Sequence, residues 1–151
     1  MSAMSLTSAS IVSLDTQSTS KEAVVRELAN LLFKDGRLSE IEPYLEAVAA
    51  REEHFPTGID GGIAIPHAQS DLVLVPSVAV ATSSQGIDFG ADDGPSNLIF
   101  LIAAPASGEN THLEILATLA RKVMHEEFRE LLRSQTDPEQ LAQIMTKEVG
   151  G

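Results

Sequence analysis

The middle of the chain reads Gly61-Gly62-Ile63-Ala64-Ile65-Pro66-His67-Ala68. Residues 63–65 predict a short strand, and the two glycines before it permit backbone conformations that a side chain would block. Pro66 has no backbone N–H for a central ladder, so it ends the strand or places it at a sheet edge. His67 is therefore expected just past a strand end, where α/β folds commonly place reactive side chains. An isolated histidine at such a position is more often a turn residue without chemistry.

Two helical patterns precede this segment, each with apolar residues at the spacing of one helical face. The first follows a capping box at residues 19–22 and stops at Gly36. Its expected buried residues are Val24, Leu28, Leu31 and Leu32. The second follows a capping box at residues 39–42 and ends near Glu53. Its expected buried residues are Ile41, Leu45, Val48 and Ala49.

Strand patterns follow the segment. A polar connection is expected from His67 to Asp71, then a strand at 78–83, a turn at Gln85-Gly86 and a short return strand at 87–89. Residues 97–104 form the most apolar run and predict a central, buried strand.

Three further helices are predicted, at 111–124, around Phe128, and from Asp137 with Pro138 at the first helical position. Strands grouped between helices predict an α/β fold, in which a mixed β-sheet is flanked by helices on both faces. We expect a single domain at residues 11–147, preceded by a disordered leader at residues 1–10.

Composition excludes several classes of protein. The chain has 151 residues and 43% hydrophobic content, enough for one domain with a substantial core. The absence of cysteine excludes disulfides, thiolate catalysis and thiolate metal sites. A net charge of −12 argues against binding to nucleic acid or to an anionic membrane surface. No apolar run approaches the ~20 residues of a membrane helix, and the N-terminus lacks the features of a signal peptide, so a cytoplasmic protein is expected.

Four histidines are the candidate reactive residues: His54, His67, His112 and His125. Their spacings match neither a helical i, i+4 pair nor another familiar zinc pattern. The chain also lacks the Gly-x-Ser-x-Gly elbow, the Walker loop and the Gly-x-Gly-x-x-Gly motif of common hydrolases and nucleotide enzymes. A neutral imidazole keeps one unprotonated nitrogen that can attack phosphorus, so His67 is the best nucleophile.

Two further side chains are candidate phosphate donors. His112 lies just inside a predicted helix start, where free backbone N–H groups favour an anion, but a helix-surface histidine fits the position equally well. Arg51 can hold two phosphate oxygens, although pairing with Glu52 or Glu53 is the simpler interpretation from the residues alone.

The segment around His67 resembles the enzyme IIA domain of the phosphotransferase sugar-transport system (PTS), fructose/mannitol type. The resemblance rests on Gly-Ile-Ala-Ile-Pro-His, on Arg51-Glu52-Glu53 and Pro56-Thr57-Gly58 ahead of it, and on residues 86–105 and 112–121. It extends over about residues 11–145. It implies that His67 carries the phosphoryl group on Nε2, that His112 is the second active-site histidine, and that Arg51 belongs to the site.

The resemblance also implies a phosphate- or partner-binding role for Thr57, Gly58, Gly61 and Gly62. Thr57 either donates its hydroxyl or shapes the turn. Phosphate would arrive from the histidine-containing phosphocarrier protein HPr and leave for a cysteine of enzyme IIB. No metal, nucleotide or other cofactor, no nucleic acid and no membrane insertion are implied.

Two further segments bear on the branch of the family. Gly-Ile-Asp-Phe-Gly at 86–90 and the apolar run at 100–105 favour a fructose-type transport component. The alternatives are the nitrogen-related regulatory branch and a non-enzymatic binding module with a vestigial histidine.

Overall fold

The structure, a computed structural model, describes residues 6–54, 56–106 and 111–149, and only the backbone of residues 111–113. A 3₁₀ turn at Ala9–Ile11 opens the described chain. The strands are β1 (Val12–Ser13), β2 (Gly58–Ile59), β3 (Ile63–Ala64), β4 (His67–Ser70), β5 (Ser77–Ile87) and β6 (Ser96–Pro105). The helices are α1 (Lys21–Lys34), α2 (Glu42–His54), α3 (Thr111–Lys122), α4 (Glu126–Arg133) and α5 (Pro138–Glu148).

The strands of the described ranges form one mixed sheet centred on β6, in the order β1-β5-β6-β3-β2. On one side β6 pairs antiparallel with β5. On the other side it pairs in parallel with β3 and, further along, with β4. The prediction that the most apolar run forms a central, buried strand is confirmed.

The sheet separates two hydrophobic cores. Because successive side chains of a strand point to opposite faces, β6 supplies both. Ile99, Leu101 and Ala103 pack with α1 and α2, whereas Leu98, Phe100 and Ile102 pack with α3, α4 and α5. The predicted fold class, a mixed sheet with helices on both faces, is therefore confirmed.

The helix starts differ in detail from the sequence prediction. α1 is capped by Ser20, whose hydroxyl accepts from the backbone N–H of Ala23 at 3.1 Å, so the capping box expected at 19–22 is wrong. α5 begins as predicted, with the Asp137 carboxylate accepting from the backbone N–H of Glu139 at 3.0 Å.

The buried face of α2 is also rotated from the expected one. Its buried residues are Tyr44, Val48 and Glu52, whereas Ala49 is exposed. Tyr44 offers far more apolar surface than Ala49, which explains why its face of the helix is the buried one. This rotation places a carboxylate, Glu52, inside the protein at the end of the helix.

Two strand predictions are wrong. Residues from His67 to Ser70 form β4 instead of a polar connection, because backbone pairing with β6 does not depend on apolar side chains. β5 runs through Gly86 to Ile87, so the turn at 85–86 and the return strand at 87–89 do not form. A register shift between Thr82 and Ile87, with Gly86 at φ +83°, keeps β5 paired with β6.

Leu6 and Thr7, expected in a disordered leader, are hydrogen-bonded to the sheet instead. The backbone N–H of Val78 donates to the carbonyl of Leu6 at 2.9 Å. The Thr7 side chain is 1% exposed and donates its hydroxyl to the carbonyl of Val78 at 2.8 Å. Residues 1–5 of the expected leader lie outside the described residues.

Glu27 on α1 is hydrogen-bonded to the end of β1 and to the loop that leads to the helix. Its carboxylate accepts hydrogen bonds from the hydroxyls of Ser13, Thr16 and Ser18. Partial burial acts to raise the pKa of Glu27, but the three hydrogen bonds outweigh it and leave the pKa below its ordinary value. A folded-state pKa below the unfolded one contributes stability at neutral pH, and that stability is lost as pH falls through the folded pKa.

We therefore expect Glu27→Gln to lower the free energy of unfolding by about 1–2 kcal/mol at neutral pH. At a pH below the folded pKa the loss should be much smaller, since the wild-type carboxyl is then protonated as well. Urea unfolding at both pH values measures the difference. An equal loss at both would show that the charge of Glu27 contributes nothing.

Candidate functional site

His67 begins β4 and lies opposite Ile102 of the central strand. It follows the end of β3, as predicted, but it also opens a new strand. Its side chain is half-buried, and its Nδ1 lies 2.9 Å from the carbonyl oxygen of Ile65. A carbonyl can only accept, so this contact places the ring proton on Nδ1. The neutral ring therefore keeps its lone pair on Nε2, which leaves that nitrogen able to act as a nucleophile.

The backbone around His67 is held from two sides. The N–H of Ile102 donates to the carbonyl of Pro66 at 3.0 Å, and the N–H of Ile65 donates to the carbonyl of Thr57 at 3.3 Å. The carbonyl of Ile65, which orients the imidazole, thus lies between two backbone hydrogen bonds, one to β6 and one to the loop after α2.

Thr57 is tied to the buried end of α2. Its backbone N–H and its hydroxyl donate to the two oxygens of the Glu52 carboxylate, at 2.7 and 2.8 Å. The proton of the hydroxyl is therefore committed to Glu52. Of the two roles considered for Thr57, this geometry favours shaping the turn over donating a hydroxyl to phosphate.

Sequence reasoning missed Glu52 as a residue of this site. The spacing of the residues could have indicated it, because Tyr44, Val48 and Glu52 recur every four residues and therefore share the buried face of α2. A carboxylate on the buried face of a helix requires hydrogen-bond donors, and Thr57 supplies them.

Arg51 lies in the last turn of α2, beside Glu52, and is half-buried. α2 packs against β4, the strand that His67 begins. The hydroxyl of Tyr44, on the same helix, donates to the carbonyl of Ile102 at 3.4 Å. Tyr44 lies in the first turn of α2, whereas the last turn, which carries Arg51, is connected towards His67 through the hydrogen bonds between Glu52 and Thr57.

The structure does not bring Gly61 and Gly62 next to His67. They form the turn between β2 and β3, at φ +102° and +76°, and the carbonyl of Gly62 accepts from the backbone N–H of Asn97 at 2.7 Å. His67 pairs five residues further along β6, at Ile102, which corresponds to about 16 Å of strand. These glycines allow a left-handed turn that other residues rarely adopt.

Gly58 lies on β2, where its backbone passes close to the backbone of Phe89 and Ala91. A side-chain carbon at this position would lie 2.6 Å from the carbonyl oxygen of Phe89 and 2.9 Å from the nitrogen of Ala91. Both neighbours are backbone atoms that cannot rotate away. The structure gives Gly58 a steric reason to be glycine.

We expect Gly58→Ala to lower the free energy of unfolding by about 1–3 kcal/mol, through overpacking. Thermal melting followed by circular dichroism measures it, with Ile59→Ala as the control because that neighbouring side chain is 41% exposed. The control should lose less. A Gly58→Ala protein that melts like wild type but accepts no phosphate would instead assign Gly58 to binding.

The other histidines lie in helices or, in the case of His125, at the N-cap of one. α3 begins at Thr111, which puts His112 in its first turn, as predicted, but the His112 side chain lies outside the described residues. His54 and His125 are exposed, and His125 makes no side-chain cap to α4. Over the described ranges, no group of three or more acidic or histidine side chains is arranged to hold a metal ion.

Within the same ranges, none of the helices has the length and the apolar surface needed to cross a membrane.

Comparisons with known proteins agree with this arrangement. A family model described as phosphoenolpyruvate-dependent sugar phosphotransferase system, EIIA 2, matches residues 5–148. The chain is 40% identical to the PTS system fructose-specific EIIA component of Haloferax volcanii, over 95% of this chain and 94% of that protein.

Two solved structures are similar over nearly their whole length. The nitrogen regulatory protein IIA-Ntr of Neisseria meningitidis superposes with a TM-score of 0.83 at 30% identity, covering 93% of this chain and 97% of that one. Enzyme IIA mannitol of Escherichia coli, in a complex with phosphorylated enzyme IIB mannitol, superposes with a TM-score of 0.76 at 26% identity, covering 92% and 96%.

Together, the fold and these similarities define a phosphotransferase that works through a phosphohistidine intermediate. The chain belongs to the EIIA type-2 family of the phosphoenolpyruvate-dependent sugar phosphotransferase system. Its partners are HPr and enzyme IIB. The family resemblance stated from the sequence is confirmed.

Proposed function

We propose that the protein accepts the phosphoryl group on Nε2 of His67 and delivers it to an enzyme IIB cysteine of a fructose-type sugar transporter. The observation that carries this is the 2.9 Å hydrogen bond from Nδ1 to the carbonyl of Ile65. It leaves Nε2 unprotonated on a ring that is only half-buried. The functional domain is residues 11–147, acting in the cytoplasm as the PTS family does.

Both transfers conserve atoms and charge without a cofactor. In the first, the lone pair of Nε2 attacks phosphorus as the P–N bond in phospho-HPr breaks, and the electron pair of that bond returns to the HPr histidine. In the second, an enzyme IIB thiolate attacks phosphorus and the P–Nε2 bond breaks, returning its pair to His67. The proton on Nδ1 remains in place throughout, held by Ile65.

Phosphoryl transfer requires in-line positioning and stabilisation of spread negative charge more than covalent chemistry. We assign the charge stabilisation to Arg51, whose guanidinium can contact two oxygens, and to His112 with the N-terminus of α3. β6, which pairs with the strand that begins at His67, ends at Pro105 and leads to that helix start.

The fructose assignment is supported by the 40% identity to a fructose-specific component of similar length. The similarity to a nitrogen regulatory protein keeps the regulatory branch as the second candidate. A third candidate, a binding module with a vestigial histidine, is less favoured because the Nδ1 hydrogen bond prepares Nε2 for attack.

A reconstituted assay separates these candidates. The protein is mixed with phosphoenolpyruvate, enzyme I, HPr and membrane vesicles that carry fructose-type enzymes IIB and IIC, and the sugar phosphate formed is measured. We expect phosphorylation of fructose, and little of mannitol when vesicles carry mannitol-type IIB and IIC. Phosphate acceptance without transfer to either would support the regulatory branch, and no acceptance at all would support the binding module.

A further inference from the structure

Glu52 is a buried carboxylate with an unusual set of partners. Only 7% of the residue is exposed, and both of its carboxylate oxygens accept hydrogen bonds from Thr57. Burying a carboxylate is costly unless donors replace its lost water. A neutral or apolar residue would avoid that cost, so the carboxylate invites a functional explanation.

Thr57, the partner of Glu52, is connected to the imidazole of His67 through Ile65. The carbonyl of Thr57 accepts from the N–H of Ile65 at 3.3 Å, and the carbonyl of Ile65 accepts from Nδ1 of His67 at 2.9 Å. Glu52, Thr57, Ile65 and His67 thus form a continuous series of hydrogen-bonded residues. It runs from the buried end of α2 to the start of β4.

We propose that Glu52 is the positioning residue for His67. The Glu52 carboxylate accepts two hydrogen bonds from Thr57 and so holds the loop after α2 in place. Because the carbonyl of Thr57 accepts from the N–H of Ile65, the position of Ile65 and the direction of its own carbonyl are held as well. That carbonyl keeps the ring proton on Nδ1 and therefore the lone pair on Nε2. The inference rests on the proposed role of His67 as the phosphoryl acceptor.

The same hydrogen bond serves both transfers. Because Nδ1 keeps its proton whether or not Nε2 carries phosphate, the ring needs no rotation and no change of tautomer between the two partners. Loss of Glu52 is therefore expected to slow acceptance from HPr and donation to enzyme IIB by a similar factor.

A purely structural role predicts something different. If Glu52 only stabilised the loop, Glu52→Gln would lower the melting temperature while the folded protein kept the Nδ1–H tautomer and its transfer rate. Tautomer and rate per folded molecule therefore distinguish positioning from simple stabilisation.

The experiment uses ¹⁵N-labelled histidine in wild type and in Glu52→Gln. In alkaline solution, where imidazole is neutral, ¹⁵N chemical shifts report which ring nitrogen of His67 carries the proton. The His67 signals are assigned as those missing from His67→Ala. We expect wild type to be the Nδ1–H tautomer and Glu52→Gln to be a mixture, with transfer slowed about tenfold in both directions, the value of one charge-assisted hydrogen bond.

Matched controls exclude charge and stability effects. Glu53→Gln removes the same charge from the neighbouring, exposed position and should match wild type in tautomer and rate. Glu27→Gln removes a hydrogen-bonded carboxylate on α1 and should lower stability without changing the His67 tautomer.

A second variant pair keeps the test informative if Glu52→Gln folds poorly. Thr57→Val removes the hydroxyl donor but leaves the carboxylate and one backbone bond, whereas Thr57→Ser keeps the hydroxyl. The positioning role predicts a partial loss of tautomer and rate in Thr57→Val that Thr57→Ser rescues.

Wild-type tautomer and rate in both Glu52→Gln and Thr57→Val would overturn the inference. The tautomer is read without any phosphate donor, so this result is separate from a failure of the proposed function. The latter would appear as phosphate on a residue other than His67 in the wild-type protein.

Discussion

His67→Ala is expected to abolish phosphoryl acceptance while the protein remains folded. The variant removes the nitrogen that attacks phosphorus, whereas β4 pairs with β6 through its backbone and is retained. A half-buried side chain at a strand start contributes little packing, and such changes usually alter stability by about 0.5 kcal/mol or less. The measurement combines label transfer from phosphoenolpyruvate through enzyme I and HPr with thermal melting.

His125→Ala is the matched control, because His125 is exposed and makes no cap to α4. It should accept label like wild type. Label retained by His67→Ala would disprove the assignment, and a melting loss as large as that of a core cavity would make His67 a structural residue.

The second large effect is expected from His112→Ala. α3 begins at Thr111, so His112 lies where backbone N–H groups and the positive end of the helix favour an anion. Loss of one preorganised donor to a transition state typically costs about 10²–10³ in rate. We expect a loss of this size in both transfers, with phosphate still accepted on His67 and affinity for HPr nearly unchanged.

Rapid-quench kinetics with His112→Ala measures both rates. His54→Ala is the control here, since His54 is an exposed histidine in the last turn of α2, close in sequence to Arg51. Wild-type rates in His112→Ala would make that histidine a bystander, leaving charge stabilisation to Arg51 and backbone N–H groups.

The sheet and its two layers of helices could be predicted because apolar patterns determine them. The continuous apolar run of β6 indicated a strand buried on both faces, and the helical periodicities indicated the flanking layers. These signals are local in the sequence, which is why they can be read from it.

The missed features depend on partners distant in sequence. Nothing in the polar residues of β4 shows that β6 lies beside them, and nothing at Gly86 shows that a register shift keeps β5 paired. The packing of Thr7 likewise depends on Val78, 71 residues away.

The site divides in the same way. The place of His67 after a strand could be predicted from its own segment, and the place of His112 in the first turn of α3 from the expected start of that helix. The contact between Glu52 and Thr57 could not, because it depends on how the loop after α2 folds back on the helix. Gly61 and Gly62 were expected near His67, and their distance from it became apparent only in the fold, where Gly62 is hydrogen-bonded to Asn97.

The most direct test of the account is to identify the atom that carries phosphate in the wild-type protein. The ¹⁵N-histidine protein is phosphorylated with phosphoenolpyruvate, enzyme I and HPr, and ¹⁵N and ³¹P spectra locate the P–N bond. We predict one phosphoramidate, stable in base and labile in acid, at Nε2 of His67. Phosphorus on Nδ1 of His67, on another histidine or on a hydroxyl would contradict the account.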